Sequence, residues 1–442
     1  MKTFENQKYL PPLPVPKLLE TLDRYLESGN TSKSLVVDRY KLQKIKIGLA
    51  FFIRNFCQLD EWWYDGYLEN RLPLMPFSNI VASDIRRFLL LIVLSNKKKY
   101  FKDEFYYIFL MNRGKLWDMH QYYVLFNSTR LPRTNKDQMQ RLFCLEAEGT
   151  CPSHVVVLCR GTIWKLETFH NGRLITPEHF YNQLNYIQQN SIQNVHSVVS
   201  LTSEKRDIWA QHTNVDAIVA FDVIGTASAN ALKSLWNTKV AFSGLDITAL
   251  KNCGSSVAVK VIRFTLFGNL RFRASKIYGD TIVQMALQLA YYLTHHSFAP
   301  TYETASTRAF YRGRTETVRS CTSELTTFVH SFAKKPNDNM RLFFWKAYHK
   351  HNQLMNAAMS GQGCDRHLYG LKKALDVMNK TLKSKIVIPE LYVDKGWTAS
   401  GGNNNFLLST SFSGYDVKGP IGYVTPMCED GYGAFYKIGP QE

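Results

Sequence analysis

A protein of mixed helices and strands, large enough for two domains, is what this sequence predicts. A chain of 442 residues buries a substantial core and exceeds the size at which a single core stops growing. Helix-like and strand-like segments also alternate along it, with Pro and Gly between them. The Pro-rich opening is extended and leads into a helix at about Lys17 to Ser28. Val155 to Cys159 has the β-branched run of a buried strand. Ile282 to Leu293 reads as a buried helix, closed off by Pro300. Gly313, the Gly361 and Gly363 pair, and Gly401-Gly402-Asn403-Asn404-Asn405 supply the later breaks. The last of these feeds a strand, Phe406 to Phe412, so that the hydroxyls of Ser409, Thr410 and Ser411 alternate across a sheet surface. The sequence has no internal repeat.

Composition sets further bounds. The apolar run Phe88 to Leu94 is far shorter than the roughly 20 residues that span a bilayer, so no transmembrane anchor is expected. The opening MKTFENQKYLPPLPVP lacks the basic-then-apolar order of a signal peptide and is too acidic and proline-rich for a mitochondrial presequence. The eight cysteines form no CxxC pair and read as reduced, mostly buried thiols of an intracellular protein. Lys and Arg (54) outnumber Asp and Glu (36), a net charge of +18 that calls for an anionic partner. The excess is scattered, as in Lys97-Lys98-Lys99 and Lys372-Lys373, without the basic-aromatic interleaving of a single-strand binder. Nucleic acid is therefore the weaker reading, and a small anionic substrate would be drawn to the same positive field. Paired histidines (His295 and His296, His349 and His351) have no cysteine or carboxylate set to complete a metal site, and a solvated helix face accounts for them; no metal is expected.

The densest chemistry lies at TYETASTR (301 to 308) and GRTETVRS (313 to 320). A phenol, threonine hydroxyls and three arginines there are the groups that grip a carboxylate or phosphate, against the alternative of a solvated, salt-bridged connector. The order of residues resembles the signature of the carnitine/choline acyltransferase family. LTSEKRDIWA (201 to 210), GCDRHLYGLK (363 to 372), NFLLSTSFSGY (405 to 415) and DGYGAFY (430 to 436) carry the same resemblance. The N-terminal LPPLPVPKLLETLDRYLES, DEWW (60 to 63) and HVVVLCRG (154 to 161) look closest to the branch that transfers octanoyl groups in peroxisomes.

The resemblance implies an α/β fold of two CoA-dependent acyltransferase-like domains, with mixed sheets flanked by helices and an active-site tunnel between them. Residues 1–254 would carry the catalytic His, and 255–442 the carnitine and CoA contacts. It implies a monomer that moves a medium-chain, octanoyl-like acyl group reversibly between CoA and L-carnitine. CoA or acyl-CoA serves as co-substrate, with no permanently bound cofactor and no acyl-enzyme.

Residue by residue, QHTNVDA (211 to 217) resembles the catalytic-histidine motif. It makes His212 the general base and Asp216 its supporting acid; alone, the pattern also fits a surface His after a helix end. The carnitine carboxylate falls to Tyr302, Thr315 and Arg366, with Ser409 as a further carnitine contact. Ser411 would donate to the oxyanion, although Ser and Thr are also common at polar strand edges. Gly422 stands where short-chain members carry methionine, which opens an acyl pocket; a turn glycine is the structural alternative. On the CoA side Arg273 replaces a family lysine, Asn269 loses another, Arg271 or Lys276 compensates, and Asp280 and Glu303 match positions near CoA.

Segments are also missing relative to the family, between Ala210 and His212, within 214–256, and after Glu442. The first domain is thus expected to be incomplete around His212, and activity reduced or absent. Two alternatives follow: an impaired remnant that still binds acyl-CoA or carnitine, and, more remotely, a basic nucleic-acid-binding protein. Peroxisomal placement rests on the resemblance, since Pro440-Gln441-Glu442 matches no SKL-type tripeptide; the cytosol is the other expectation.

Overall fold

The computed structural model describes residues 7–29, 59–69, 79–83, 116–125, 128–131, 133–141, 153–159, 162–191, 207–211, 258, 260–334, 338–381, 388–415 and 421–442. In the first half these form α1 (Leu18–Gly29), α2 (Leu59–Leu68), β1 (Asn79–Ser83), α3 (His120–Leu125), β2 (Ser128–Leu131), β3 (Gln138–Arg141), β4 (His154–Cys159), β5 (Thr162–Glu167), β6 (Phe169–His170), β7 (Arg173–Leu174), α4 (Pro177–Asn190) and β8 (Asp207–Gln211). The expected helix at 17–28 and the strand at 155–159 are both present. Thr176 caps α4 by accepting from the His179 N–H, and Pro177 opens the helix, where it removes no hydrogen bond. Phe180 and Ile187 of α4 then pack on Cys159 and Leu166 of the β4–β5 pair.

The second half holds α5 (Asn269–Ala274), α6 (Gly279–His295), β9 (Thr301–Ser306), β10 (Thr315–Val318), α7 (Ser323–Ala333), α8 (Met340–Met359), α9 (Asp365–Thr381), α10 (Glu390–Val393), α11 (Lys395–Ala399), β11 (Leu408–Tyr415), β12 (Ile421–Tyr423) and β13 (Tyr432–Ile438). Its centre is a mixed sheet in the order β10-β9-β11-β13, with β10 antiparallel to β9 and β11 parallel to both β9 and β13. This is the expected α/β architecture.

Strand periodicity gives that sheet two faces. Ala305 and Val318 pack with Leu354, Met355 and Ala358 of α8, and α6, α7 and α8 join through Met285, Leu325, Phe328, Val329, Ala347 and Tyr348. Glu303 and Thr410 point to this helical side. Tyr302 and Ser409, in register with each other, belong to the opposite face, as does Ser411 two residues on.

Helix α6 corrects one expectation. Beside Met285, its buried positions after the first residue are Thr281, Gln284 and Gln288, while Leu293 is exposed. The reason is the surface beneath it. Gln284 donates to Thr410 Oγ1 and to Tyr436 Oη, both at 2.9 Å, and Gln288 donates to the Ala299 carbonyl at 2.7 Å. A polar sheet face selects a polar helix stripe, because buried amides need partners. His351 corrects another: it is 3% exposed and belongs to no solvated face, whereas His295, His296 and His349 are exposed.

A second sheet, β12-β1-β8, is antiparallel and joins strands from both sides of residue 254. Among the described residues no helix is long and apolar enough to cross a membrane. The described cysteines, Cys159, Cys321, Cys364 and Cys428, form no disulfide among the described residues, and the first three are buried.

Candidate active site

Strands β9 and β10 place Tyr302 and Thr315 on one face, and the first turn of α9 brings Arg366 over them. Arg366 Nη2 donates to Tyr302 Oη at 2.8 Å and to Thr315 Oγ1 at 3.3 Å; Nε donates to the Thr315 carbonyl at 2.8 Å and Nη1 to Thr317 Oγ1 at 3.3 Å. The guanidinium carbon sits 3.7 Å from the centre of the Trp63 ring, contributed by α2. Every one of these hydrogen bonds runs to a neutral oxygen, and among the described residues no carboxylate forms an ion pair with Arg366. A cation only 9% exposed is thereby left without a counter-charge in contact, and burying it favours an anionic ligand.

The start of α9 explains this state. Asp365, the neighbouring acid, turns away to a two-pronged pair with Arg319, at 2.9 and 2.8 Å, as adjacent helical positions diverge. Glu316 accepts the backbone N–H groups of Thr317 and Arg366, and burial lifts its carboxyl to about 7 in spite of the nearby guanidinium. Gly363 is required here, because a Cβ at that position would stand 2.2 Å from Glu316 Cγ.

The polar run at 301–320 is therefore no solvated connector, and its arginines are largely committed within the protein. Arg308, 1% exposed, donates to the Asp118 carbonyl and lies over the Trp117 and Tyr122 rings. Arg319 holds Asp365 and the Ser400 carbonyl. The guanidinium set against Tyr302 and Thr315 is that of Arg366, from a different segment.

Ser409 pairs in register with Tyr302, and the Ser409 and Ser411 hydroxyls make no hydrogen bond among the described residues. Thr410, between them, faces the helices and donates to the Tyr302 carbonyl at 2.9 Å. Two hydroxyls on the face that carries Tyr302 and one structural hydroxyl on the other are what a period of two delivers.

The CoA-assigned residues are not gathered in the same way. Arg273 on α5 and Lys276 after it are exposed. Asp280, at the start of α6, receives the Tyr436 hydroxyl; burial, and then the charge of Glu303, raises its carboxyl to about 7. Glu303 is fully buried against His351, and its Oε1 has no partner among the described residues. Asn269 is buried with its N–H on the Gly439 carbonyl.

His212 and Asp216 lie outside the described residues. Strand β8 ends at Gln211, directly before His212, and pairs with β1, whose other neighbour β12 holds Gly422 opposite Ala82. Sequence reasoning gave no individual role to Trp63, Thr317 or Gln284, although Trp63 lies in DEWW and Thr317 in GRTETVRS.

The family model described as Choline/Carnitine o-acyltransferase matches residues 13–216 and 246–442. The peroxisomal carnitine O-octanoyltransferases of Rattus norvegicus and Homo sapiens are each 28% identical, over 99% of this chain and 91% of theirs. The carnitine O-acetyltransferase of Columba livia is 26% identical, over 98% of this chain and 87% of its own length. The alignment with the rat protein runs over 581 positions against a chain of 442, so at least 139 positions of that relative have no counterpart here.

Proposed function

The chain belongs to the choline/carnitine O-acyltransferase family, and from that premise we propose that it moves a medium-chain, octanoyl-like acyl group between CoA and L-carnitine. The observation that carries the acceptor half is the buried Arg366 guanidinium, ringed by the Tyr302 and Thr315 hydroxyls and in ion-pair contact with no described carboxylate. That set suits the planar carboxylate of carnitine, which choline lacks.

In the proposed mechanism the carboxylate docks on Arg366, Tyr302 and Thr315, and Ser409 contacts carnitine on the same face. His212, oriented by Asp216, takes the proton of the carnitine hydroxyl, whose oxygen attacks the thioester carbonyl; in reverse it takes the proton of the CoA thiol. Ser411 donates to the oxyanion, and the tetrahedral intermediate collapses with release of the thiolate, which receives the proton from His212. No covalent enzyme intermediate forms. Gly422, with no side chain, leaves room for the acyl tail, at about 0.8 kcal/mol per methylene buried.

Arg273 and Lys276 meet the CoA phosphates, with Asp280 beside them; Glu303, matched to the CoA side in the sequence, is instead enclosed against His351 and makes no CoA contact in this reading. We place the enzyme in the peroxisome and read it as a monomer of two domains, 1–254 and 255–442. A second reading, an impaired remnant that binds without turnover, is favoured by the at least 139 positions of the rat relative that have no counterpart in this chain.

Thiol release from octanoyl-CoA with and without L-carnitine, on wild type and His212→Ala, tests both readings. Carnitine-dependent release that vanishes in the variant supports transfer. Calorimetric binding of carnitine and CoA without any release supports the remnant.

A further inference from the structure

His351 lies on the inner side of α8, and the proposed chemistry does not use it. Its Nε2 is 2.8 Å from Glu303 Oε2 and its Nδ1 is 3.0 Å from Thr281 Oγ1. A neighbouring amide fixes the protons. Asn352 Nδ2 donates to the Tyr348 carbonyl at 3.0 Å, which turns Oδ1 towards Thr281, and the Thr281 hydroxyl donates to that oxygen at 3.0 Å. Thr281 has one hydroxyl hydrogen, so towards His351 it accepts, and Nδ1 carries a proton. One proton lies on the bond to Glu303, and its place on Nε2 makes the pair an imidazolium and a carboxylate.

We infer that His351 is an imidazolium and a positioning residue, clamping Glu303 so that β9 presents Tyr302 to Arg366 on the opposite face. The clamp acts next to the residue it positions. Glu303 is held by its side chain, while the preceding Tyr302 carbonyl accepts from Thr410, which in turn accepts from Gln284. Two consecutive residues of β9 are thus fixed from the helical side. The titratable groups facing His351 are Glu303 of β9 and Asp280 of α6, with Tyr436 of β13 bonded to Asp280. Burial by itself pushes the imidazole down; the Glu303 carboxylate, with Asp280 behind it, outweighs burial and holds it above its ordinary value. This inference rests on the carboxylate-site reading of Tyr302, Thr315 and Arg366.

The test uses the full chain, labelled with ¹⁵N at histidine, with L-carnitine binding measured by calorimetry. At neutral pH the His351 signal, assigned by its loss in His351→Gln, shows both ring nitrogens protonated. His351→Leu weakens L-carnitine binding by about tenfold or more, and His351→Gln, which keeps a donor towards Glu303, recovers most of it. A role in general stability alone would produce neither the imidazolium signal nor the glutamine rescue. Should His351→Leu fail to fold by circular dichroism, Glu303→Gln puts the same question: it removes the negative charge, and the His351 signal becomes that of a neutral ring while carnitine binding weakens. A neutral His351 in the wild type overturns the inference, as does a folded His351→Leu or Glu303→Gln with wild-type carnitine affinity. Wild-type protein that binds no L-carnitine overturns the carboxylate-site reading and the positioning role together, so the two failures are distinguishable.

Discussion

Arg366 lies within hydrogen-bond reach of both Tyr302 and Thr315, whereas Arg273 and Lys276 are exposed and Glu303 is enclosed on the far side of the same sheet. The difference lies in how the two groups are held. The acceptor side is built from short, directional bonds between β9, β10 and α9, closed by the Trp63 ring, so its geometry exists before any ligand arrives. The exposed cations proposed for the CoA side have long flexible stems and would act by charge, which tolerates several arrangements and weakens with salt. In the proposed function, one side is preorganised for a planar carboxylate and the other gathers phosphate by attraction.

Substitutions on the two sides should therefore differ in size and in kind. Arg366→Ala should cost about 2–5 kcal/mol of L-carnitine binding, because the ligand carboxylate loses a buried, hydrogen-bonded partner. Calorimetry should show CoA affinity unchanged, and Arg366→Lys should not rescue the loss, since an ammonium cannot reproduce the fork. Loss of both affinities together would dissolve the distinction between the sides.

Ser411→Ala should lower turnover about a hundred- to thousandfold with L-carnitine affinity retained, as expected for a donor that matters most as the oxyanion forms. A matched loss of affinity would make Ser411 a ground-state contact instead.

Glu316 gives the preorganised side a pH signature. Its carboxyl is held at about 7, above the ordinary 4.5, by burial. The folded state therefore binds the proton more tightly than the unfolded chain, and the stability this contributes is present below pH 4.5 and lost as pH rises through about 7. Glu316→Gln keeps an acceptor for the Thr317 and Arg366 N–H groups without an ionisable proton. Denaturant titrations should show a flatter stability profile between these pH values, by about 1–3 kcal/mol. An unchanged profile would place the ionisation elsewhere.

Arg273→Ala and Lys276→Ala should be mildest. Each should weaken CoA by no more than about 1 kcal/mol at physiological salt, with the effect shrinking as ionic strength rises and carnitine binding untouched. A loss independent of salt would show that these side chains make directional contacts after all.

Much of the acceptor side was legible in the sequence, because TYETASTR, GRTET, CDRH and STS are short strings whose neighbours along the chain become neighbours in space. Period-two alternation separates Ser409 and Ser411 from Thr410, and adjacent positions on a helix diverge, so Arg366 and Asp365 take different partners. What stayed hidden depends on long-range packing. Nothing local to α8 marks His351 as buried, since the carboxylate that holds it lies 48 residues away on β9. The apolar look of Ile282 to Leu293 concealed that the stripe of α6 facing the sheet is largely Thr281, Gln284 and Gln288, a choice made by the polar surface opposite. The motif also implied that the arginines of the 301–320 run would meet the ligand; Arg308 and Arg319 instead hold the Asp118 carbonyl and Asp365, and only the structure shows that Arg366 is the guanidinium set against Tyr302 and Thr315.

The most direct test of the central claim, that a preformed carboxylate site on Arg366 survives in this shortened chain, is calorimetric titration of the wild-type protein with L-carnitine and, separately, with choline. Binding of L-carnitine with no measurable binding of choline is the predicted result. Equal binding of the two, or none of either by a folded protein, would contradict it.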